Sequence, residues 1–100
     1  MKLRFTSDAE TELDEAARFY NERQSGLGDE FVATVERGCE LLLERPMAWK
    51  RLDRRTRQYL LRRFPFGIIY LVEDGEIVVV AIAHLSRKPG YWRARLRSLE

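Results

Sequence analysis

The chain has 100 residues, 45% of them hydrophobic and 34% charged, with a formal net charge of +2. A chain of this length has room for one hydrophobic core, so we expect one domain spanning residues 1–100. No run approaches the ~20 apolar residues that span a bilayer. Residues 1–5 also lack the apolar core of a signal peptide. We therefore expect a cytoplasmic protein with no membrane partner.

The net charge conceals an uneven distribution along the chain. Residues 1–45 carry 6 Lys and Arg against 11 Asp and Glu, a net charge of −5. Residues 46–100 carry 12 against 5, a net charge of +7. An asymmetry of this kind predicts an acidic or polyanionic partner for the basic part.

The chain is poor in metal-ligating residues. Its single cysteine, Cys39, cannot form an internal disulfide, and we interpret it as a buried apolar residue of a helix. One Cys and one His do not make up the ligand set of a structural zinc site. There is also no phosphate-binding glycine loop. We expect neither a metal nor a cofactor.

The acidic part begins with a predicted strand and helix. Residues 2–6 read as a short strand. Ser7 and Glu10 have the spacing of a capping box, in which Ser7 caps the helix and Glu10 reaches back. Apolar residues then recur at helical spacing to about residue 23 or 24.

A second helix follows after a glycine break. Gly26-Leu27-Gly28 interrupts the first helix, and the second is predicted to start near Asp29 and to end at Arg45-Pro46. Its inward positions are predicted to be Phe31, Val35, Cys39 and Leu42. Because the break is short, the two helices should form an antiparallel hairpin.

The basic part reads mainly as strands. It predicts an irregular segment over 46–56, strands over 58–64, 66–72 and 77–85, and a short helix opened by Pro89. Asp74-Gly75 between the last two strands is a strong hairpin signal. The strand 77–85 is apolar on both faces, which favours a central position in a sheet.

This order of elements predicts an α+β fold. We expect a twisted, mostly antiparallel sheet with an N-terminal strand, the helix hairpin on one face and a short C-terminal helix. We expect the opposite face to be only half covered. An apolar face rimmed by arginines is typical of a binding surface.

The end of the last strand carries the main candidate site. The apolar run 77–83 leads to His84, and Arg87 and Tyr91 follow. His84 is open to two interpretations: a ring that acts as a base, or a histidine hydrogen-bonded at a strand end. Trp92 is interpreted as a lid on the core.

Arginines greatly outnumber lysines in the basic part. This preference favours planar, bidentate partners such as phosphate or carboxylate groups. The alternative is a solvated edge strand, on which charge blocks unwanted strand pairing. The candidate binding arginines are Arg54, Arg55, Arg57, Arg62, Arg63, Arg87 and Arg95.

Several motifs occur in a fixed order over nearly the whole chain. They are Gly26-Leu27-Gly28-x-x-Phe31, Arg45-Pro46, Arg62-x-Phe64-Pro65-Phe66-x-Ile68-x-Tyr70 and Ala81-Ile82-Ala83-His84-x-x-Arg87-x-Pro89-x-Tyr91-Trp92-x-x-Arg95. With these motifs the chain resembles the RelE/ParE superfamily of toxins from type II toxin–antitoxin modules, often labelled plasmid stabilisation proteins. Phe64-Pro65-Phe66 and Tyr91-Trp92 favour the ParE-like branch.

The resemblance implies a toxin that a small cognate antitoxin neutralises, with no cofactor and no small-molecule substrate. ParE-like members are held to inhibit DNA gyrase. The alternative is a RelE-like ribonuclease that cuts mRNA on the ribosome without a metal. A third interpretation is a degenerate, non-toxic binding module.

The ribonuclease alternative assigns catalytic roles to particular residues. His84 or Tyr91 would be the base, and Arg63 and Arg87 would stabilise the charge that develops on the phosphate. RelE-like nucleases commonly carry a basic residue where this chain has Gly67. That departure disfavours the ribonuclease.

Overall fold

The computed structural model describes residues 1–99. The elements are β1 (Lys2–Phe5), α1 (Ser7–Arg23), α2 (Leu27–Glu44), β2 (Lys50–Arg51), β3 (Thr56–Leu60), β4 (Phe66–Glu73), β5 (Glu76–His84) and a 3₁₀-helix (Arg93–Ser98). Within these residues the strands form one sheet in the order β1-β5-β4-β3-β2. β1 runs parallel to β5, and the other neighbours are antiparallel. The predicted α+β architecture is confirmed.

Helix α1 is capped by Thr6. The Thr6 hydroxyl accepts the Ala9 N–H at 3.2 Å, and Ser7 is the first helical residue. The prediction of Ser7 as the cap was wrong by one position. Thr6 is the residue with extended backbone at this point, because its own N–H still donates to the Val79 carbonyl at 3.0 Å.

The helix hairpin depends on a close approach at Gly28. Helix α2 begins at Leu27 rather than near Asp29, directly after Gly26 in the left-handed region at φ 87°. A Cβ at Gly28 would lie 2.0 Å from the Ala17 carbonyl oxygen of α1, so only glycine fits there. The Gly28 N–H donates to Asn21 Oδ1 at 2.7 Å. These contacts hold the start of α2 against α1.

The main core lies between the helix hairpin and the sheet. Phe31, Val35 and Leu42 are buried there, as predicted. Cys39 is only partly buried beside them. Burial, with a smaller contribution from Glu36, raises the pKa of the Cys39 thiol to about 11. This agrees with a packing role for the cysteine rather than a reactive one.

The strands of the basic part differ from the prediction. Strand β2 was missed because only its two residues pair with β3, opposite Arg57 and Gln58. Strand β3 ends at Leu60, and the Leu61 N–H donates to the Phe66 carbonyl at 2.9 Å across a tight connection. The predicted strand over 58–64 was therefore wrong in its second half.

Within that connection Arg63 has a left-handed backbone with φ 70°. Arg62 and Arg63 therefore belong to this connection and not to a strand. Both are exposed on the β3–β4 connection.

The β4–β5 hairpin confirms the Asp-Gly prediction. Asp74 and Gly75 both have positive φ, 55° and 71°, as a tight turn of this kind requires. Further along, Tyr70 pairs with Val79 and Ile69 with Ala81. Val80 is therefore an extra residue in the ladder, a bulge in β5.

The second face of the sheet is covered, contrary to the prediction of a half-open apolar face. Trp92 is 3% exposed and packs on buried side chains of β4 and β5. Tyr91, Leu96, Leu99 and Leu52 complete this second core. The segment after β5 folds back over the sheet, and its 3₁₀-helix begins at Arg93 rather than at Pro89. Among residues 1–99, neither long helix combines the length and apolar character that a membrane crossing needs.

Candidate functional site

The side chains predicted to surround His84 converge on Glu12 of α1, which sequence reasoning did not single out. Glu12 Oε1 accepts the Ile82 N–H at 2.9 Å, and Oε2 accepts the Tyr91 hydroxyl at 2.7 Å. The Arg95 guanidinium contacts both carboxylate oxygens, at 3.0 and 2.9 Å. The Glu12 side chain is only 13% exposed. Its carboxylate joins α1, β5 and the C-terminal segment.

Arg95 was predicted to bind a partner, and the structure places it in an internal ion pair. Its side chain is 20% exposed. Besides Glu12 it donates to the Val80 carbonyl at the bulge, at 2.9 Å, and lies 3.7 Å from Asp8. The hydrogen bond to Glu12 raises the pKa of Arg95 above its usual value. Arg95 anchors the C-terminal segment.

Tyr91 and Arg87 form a stacked pair. Burial, and then the hydrogen bond to Glu12, raise the pKa of the Tyr91 phenol far above its usual value. The Arg87 guanidinium carbon lies 3.7 Å from the centre of the Tyr91 ring, and its side chain is 53% exposed. Tyr91 is thus a hydrogen-bond donor at neutral pH, and Arg87 is the accessible cation above it.

The geometry of His84 matches the interpretation of a histidine that is hydrogen-bonded at the end of a strand. Nδ1 accepts the Ser86 N–H at 3.0 Å, and Ser86 Oγ lies 2.7 Å from the same nitrogen. The neutral ring therefore carries its proton on Nε2. The ring also packs edge-on against Phe66, with centroids 4.9 Å apart.

A cavity of about 280 Å³ lies beside this corner, between the sheet and the segment that follows β5. His84, Arg87, Lys88 and Gln58 are among its lining residues. The Gln58 side chain lies over Gly67, since a Cβ at Gly67 would be 3.0 Å from Gln58 Oε1. The Gln58 side chain therefore fills the space beside Gly67, the position at which RelE-like nucleases carry a basic residue.

A larger concave surface, the α2 groove, lies between α2 and the β3–β4 connection, with a volume of about 790 Å³. Leu41, Trp49 and Tyr59 contribute apolar lining. Arg37, Arg62 and Arg63 lie along it, and Arg63 pairs with Glu30 at 2.8 Å. Sequence reasoning proposed Arg62 and Arg63, but Trp49 carried no signal because its segment read as irregular.

The remaining predicted arginines lie near the β2–β3 turn and serve different contacts. Arg55 pairs with Glu73 at 3.0 Å. Arg57 donates to the Met47 and Trp49 carbonyls, both at 2.9 Å. Arg54 is exposed. The predicted arginines therefore do not form one surface.

Asp53 ties the same turn to the C-terminal segment. It accepts the Arg55 and Thr56 N–H groups and the Thr56 hydroxyl, and it pairs with Arg93. Burial alone would raise the pKa of Asp53, but these hydrogen bonds outweigh burial and hold it far below the usual value. The arginine that pairs with Asp53 lies 40 residues away along the chain, so this contact is set by the tertiary fold.

Comparisons with known proteins agree with this architecture. The family described as the ParE toxin of type II toxin–antitoxin system, parDE, matches residues 3–89. A solved structure described as "Chromosomal ParDE TA system from P. aeruginosa" is similar, with a TM-score of 0.76 and 21% identity. The match covers 86% of this chain and 97% of that one. No curated protein matches the sequence. At this identity the structural likeness supports the fold.

Proposed function

We propose that this chain, which belongs to the ParE toxin family of type II toxin–antitoxin systems, is the toxin of such a module and inhibits DNA gyrase. The family match agrees with the ParE-like branch that the sequence motifs favoured. The similar solved structure is that of a ParDE system, which supports a cognate antitoxin as the partner of this chain. A gyrase inhibitor would act in the cytoplasm.

The observation that carries gyrase inhibition over RNA cleavage is the state of the two candidate bases. A general base needs a free lone pair within reach of the proton that it removes. Tyr91 donates its proton to Glu12, and its pKa is raised by burial and by that contact. His84 uses Nδ1 to accept from Ser86, which leaves its proton on Nε2. Neither residue is arranged to take a proton from a ribose hydroxyl.

The α2 groove is the proposed antitoxin site. Its lining includes the apolar side chains of Leu41, Trp49 and Tyr59, and Arg62 and Arg63 lie along it. A segment that binds there would supply apolar anchors together with acidic side chains, and it would fold on binding. The second sheet face, which the sequence had suggested as a binding surface, is covered by the C-terminal segment.

The edge of β3 offers a second element of recognition. Strand β2 pairs with Arg57 and Gln58, so within residues 1–99 no strand lies beside Tyr59 and Leu60 on that side. Leu60 is 53% exposed. An extended stretch of the antitoxin could pair with this edge.

The test compares two activities in one preparation of the purified chain. We expect it to stabilise gyrase cleavage complexes on supercoiled DNA and to leave mRNA on translating ribosomes intact. Adding the product of a neighbouring short acidic reading frame should abolish the gyrase effect. Ribosome-dependent cleavage would establish the ribonuclease instead. Induction without growth arrest would favour a non-toxic binding module.

A further inference from the structure

We propose that Glu12 is a positioning residue, which holds Tyr91 and Arg95 in place and thereby fixes the Arg87 guanidinium at the surface. The consequence for toxicity rests on the proposed function, whereas the positioning itself does not. Glu12 lies in the acidic part of the chain, on the first helix, and it reaches the corner only through the tertiary fold. The sequence analysis placed His84, Arg87 and Tyr91 at this corner and did not include Glu12.

The chemistry around Glu12 requires an acceptor. Each group that approaches its oxygens is a donor: the Ile82 N–H, the Tyr91 hydroxyl and the Arg95 guanidinium. An ionised carboxylate accepts at both oxygens, whereas an amide of the same shape presents an NH₂ group at one of them. Glu12→Gln would therefore place an NH₂ donor against these donor groups while keeping the volume of the side chain. The role of Glu12 depends on its charge and acceptors rather than on its size.

The link from Glu12 to Arg87 passes through the Tyr91 ring. Glu12 fixes one end of the ring at 2.7 Å, and the Arg87 guanidinium lies over the face of the ring at 3.7 Å. Arg87 Nη1 is also 3.9 Å from Glu12 Oε2. Arg87 is half exposed, so its long side chain would sample many rotamers without these contacts. Glu12 thereby keeps the exposed Arg87 guanidinium in a defined place.

The first test uses NMR on Glu12→Gln, with Glu22→Gln as the matched control. Glu22 is an exposed acid ten residues further along the same helix. The Arg87 side-chain protons, shifted by the Tyr91 ring current in the parent, should move toward random-coil positions in Glu12→Gln. The Ile82 amide should exchange about 10- to 100-fold faster relative to core amides such as Val79, as the loss of a charged acceptor predicts. Glu22→Gln should change neither the Arg87 shifts nor the Ile82 exchange rate.

Tyr91→Phe is a second variant if Glu12→Gln does not fold. This substitution keeps the aromatic ring under Arg87 and removes only the hydroxyl that donates a hydrogen bond to Glu12. A reduced ring-current shift of Arg87 is expected. Unchanged Arg87 shifts in a folded Glu12→Gln, or in Tyr91→Phe if only that variant folds, would overturn the proposal.

The functional test asks whether Glu12 acts through Arg87. Toxicity is measured as the inducer concentration that arrests growth in Glu12→Gln, Arg87→Ala and the double variant. We expect each single variant to need roughly tenfold more inducer and the double variant to need no more than Arg87→Ala, since residues in one linked unit are not additive. Additive losses would show that Glu12 acts independently of Arg87 and would overturn the functional link. A non-toxic parent would refute the proposed function, and the NMR comparison would then decide the positioning by itself.

Discussion

Arg95 and Glu12 lie 83 residues apart and form a two-point ion pair, with contacts of 3.0 and 2.9 Å. The pair joins the C-terminal segment to the first helix. The same guanidinium also satisfies the Val80 carbonyl, which the bulge in β5 turns out of the ladder. Arg95 therefore contributes to the stability of the covered sheet face.

We expect Arg95→Ala to lower the free energy of unfolding by roughly 2–4 kcal/mol, because it leaves a largely buried carboxylate without its partner. Arg97→Ala is the control, since Arg97 is an exposed arginine in the same 3₁₀-helix. Its effect should stay within about 0.5 kcal/mol. Denaturant titrations of both variants measure the difference. Equal stability of the two would show that the pair does not hold the segment.

Trp92→Ala should also destabilise the fold. Trp92 is 3% exposed and packs against the second sheet face. Loss of a buried tryptophan costs roughly 3–5 kcal/mol. Leu85→Ala, at a side chain that is 52% exposed, is the matched apolar control and should be nearly neutral. A Trp92→Ala protein with an unchanged melting temperature and no toxicity would instead place Trp92 in the target interface.

His84→Gln separates the two activities. A ribonuclease that uses His84 as its base would lose a factor on the order of 10²–10⁴ in cleavage. We expect growth arrest by His84→Gln to remain within about twofold of the parent, because Nδ1 is occupied and no proton transfer is required. Arg87→Ala should weaken growth arrest clearly. Melting curves exclude unfolding, and loss of toxicity in a folded His84→Gln would contradict gyrase inhibition as we propose it.

Arg62→Glu should slow association with the antitoxin by roughly 3- to 10-fold and reduce its dependence on salt, since charges at the rim steer encounter. Arg62 is a better probe than Arg63, whose reversal would also oppose Glu30. Arg97→Glu makes the same charge change on the other side of the sheet. Stopped-flow or surface-binding kinetics measure the rates. If Arg62→Glu and Arg97→Glu give the same association rate and salt dependence, the α2 groove is not the antitoxin site.

Acid should weaken the fold partly through Asp53. Its pKa is lowered in the folded state, so the charged form stabilises the protein above the ordinary value of 3.8. That contribution is lost as the pH falls below about 4 toward the folded-state pKa. Asp53→Asn should lower the free energy of unfolding at neutral pH. As the pH falls, the free energy of unfolding of this variant should decrease less than that of the parent. Asp74→Asn, in the exposed turn, should follow the parent curve. Parallel acid curves for Asp53→Asn and the parent would contradict this role.

Local patterns in the sequence predicted most of the elements. The apolar spacing around Phe31 and Val35 placed the inward face of α2, and Asp74-Gly75 placed the last hairpin, because such signals act over a few residues. Boundaries were less certain where local signals compete. Thr6 caps α1 instead of Ser7 because its N–H is still bound to β5.

The tertiary structure alone decided which charged residues share a site. In sequence Glu12 is one acid among many on an acidic helix, and nothing in its spacing points to Ile82, Tyr91 or Arg95. These partners lie 70 to 83 residues away, and the contact depends on how α1 crosses the end of β5. Because Glu12 is largely buried where α1 packs on β5, its carboxylate is the hydrogen-bond acceptor that holds the C-terminal segment. Local spacing predicted most of the elements, and the resemblance of the motifs indicated the family. Long-range packing determined which arginines are anchors and which remain accessible.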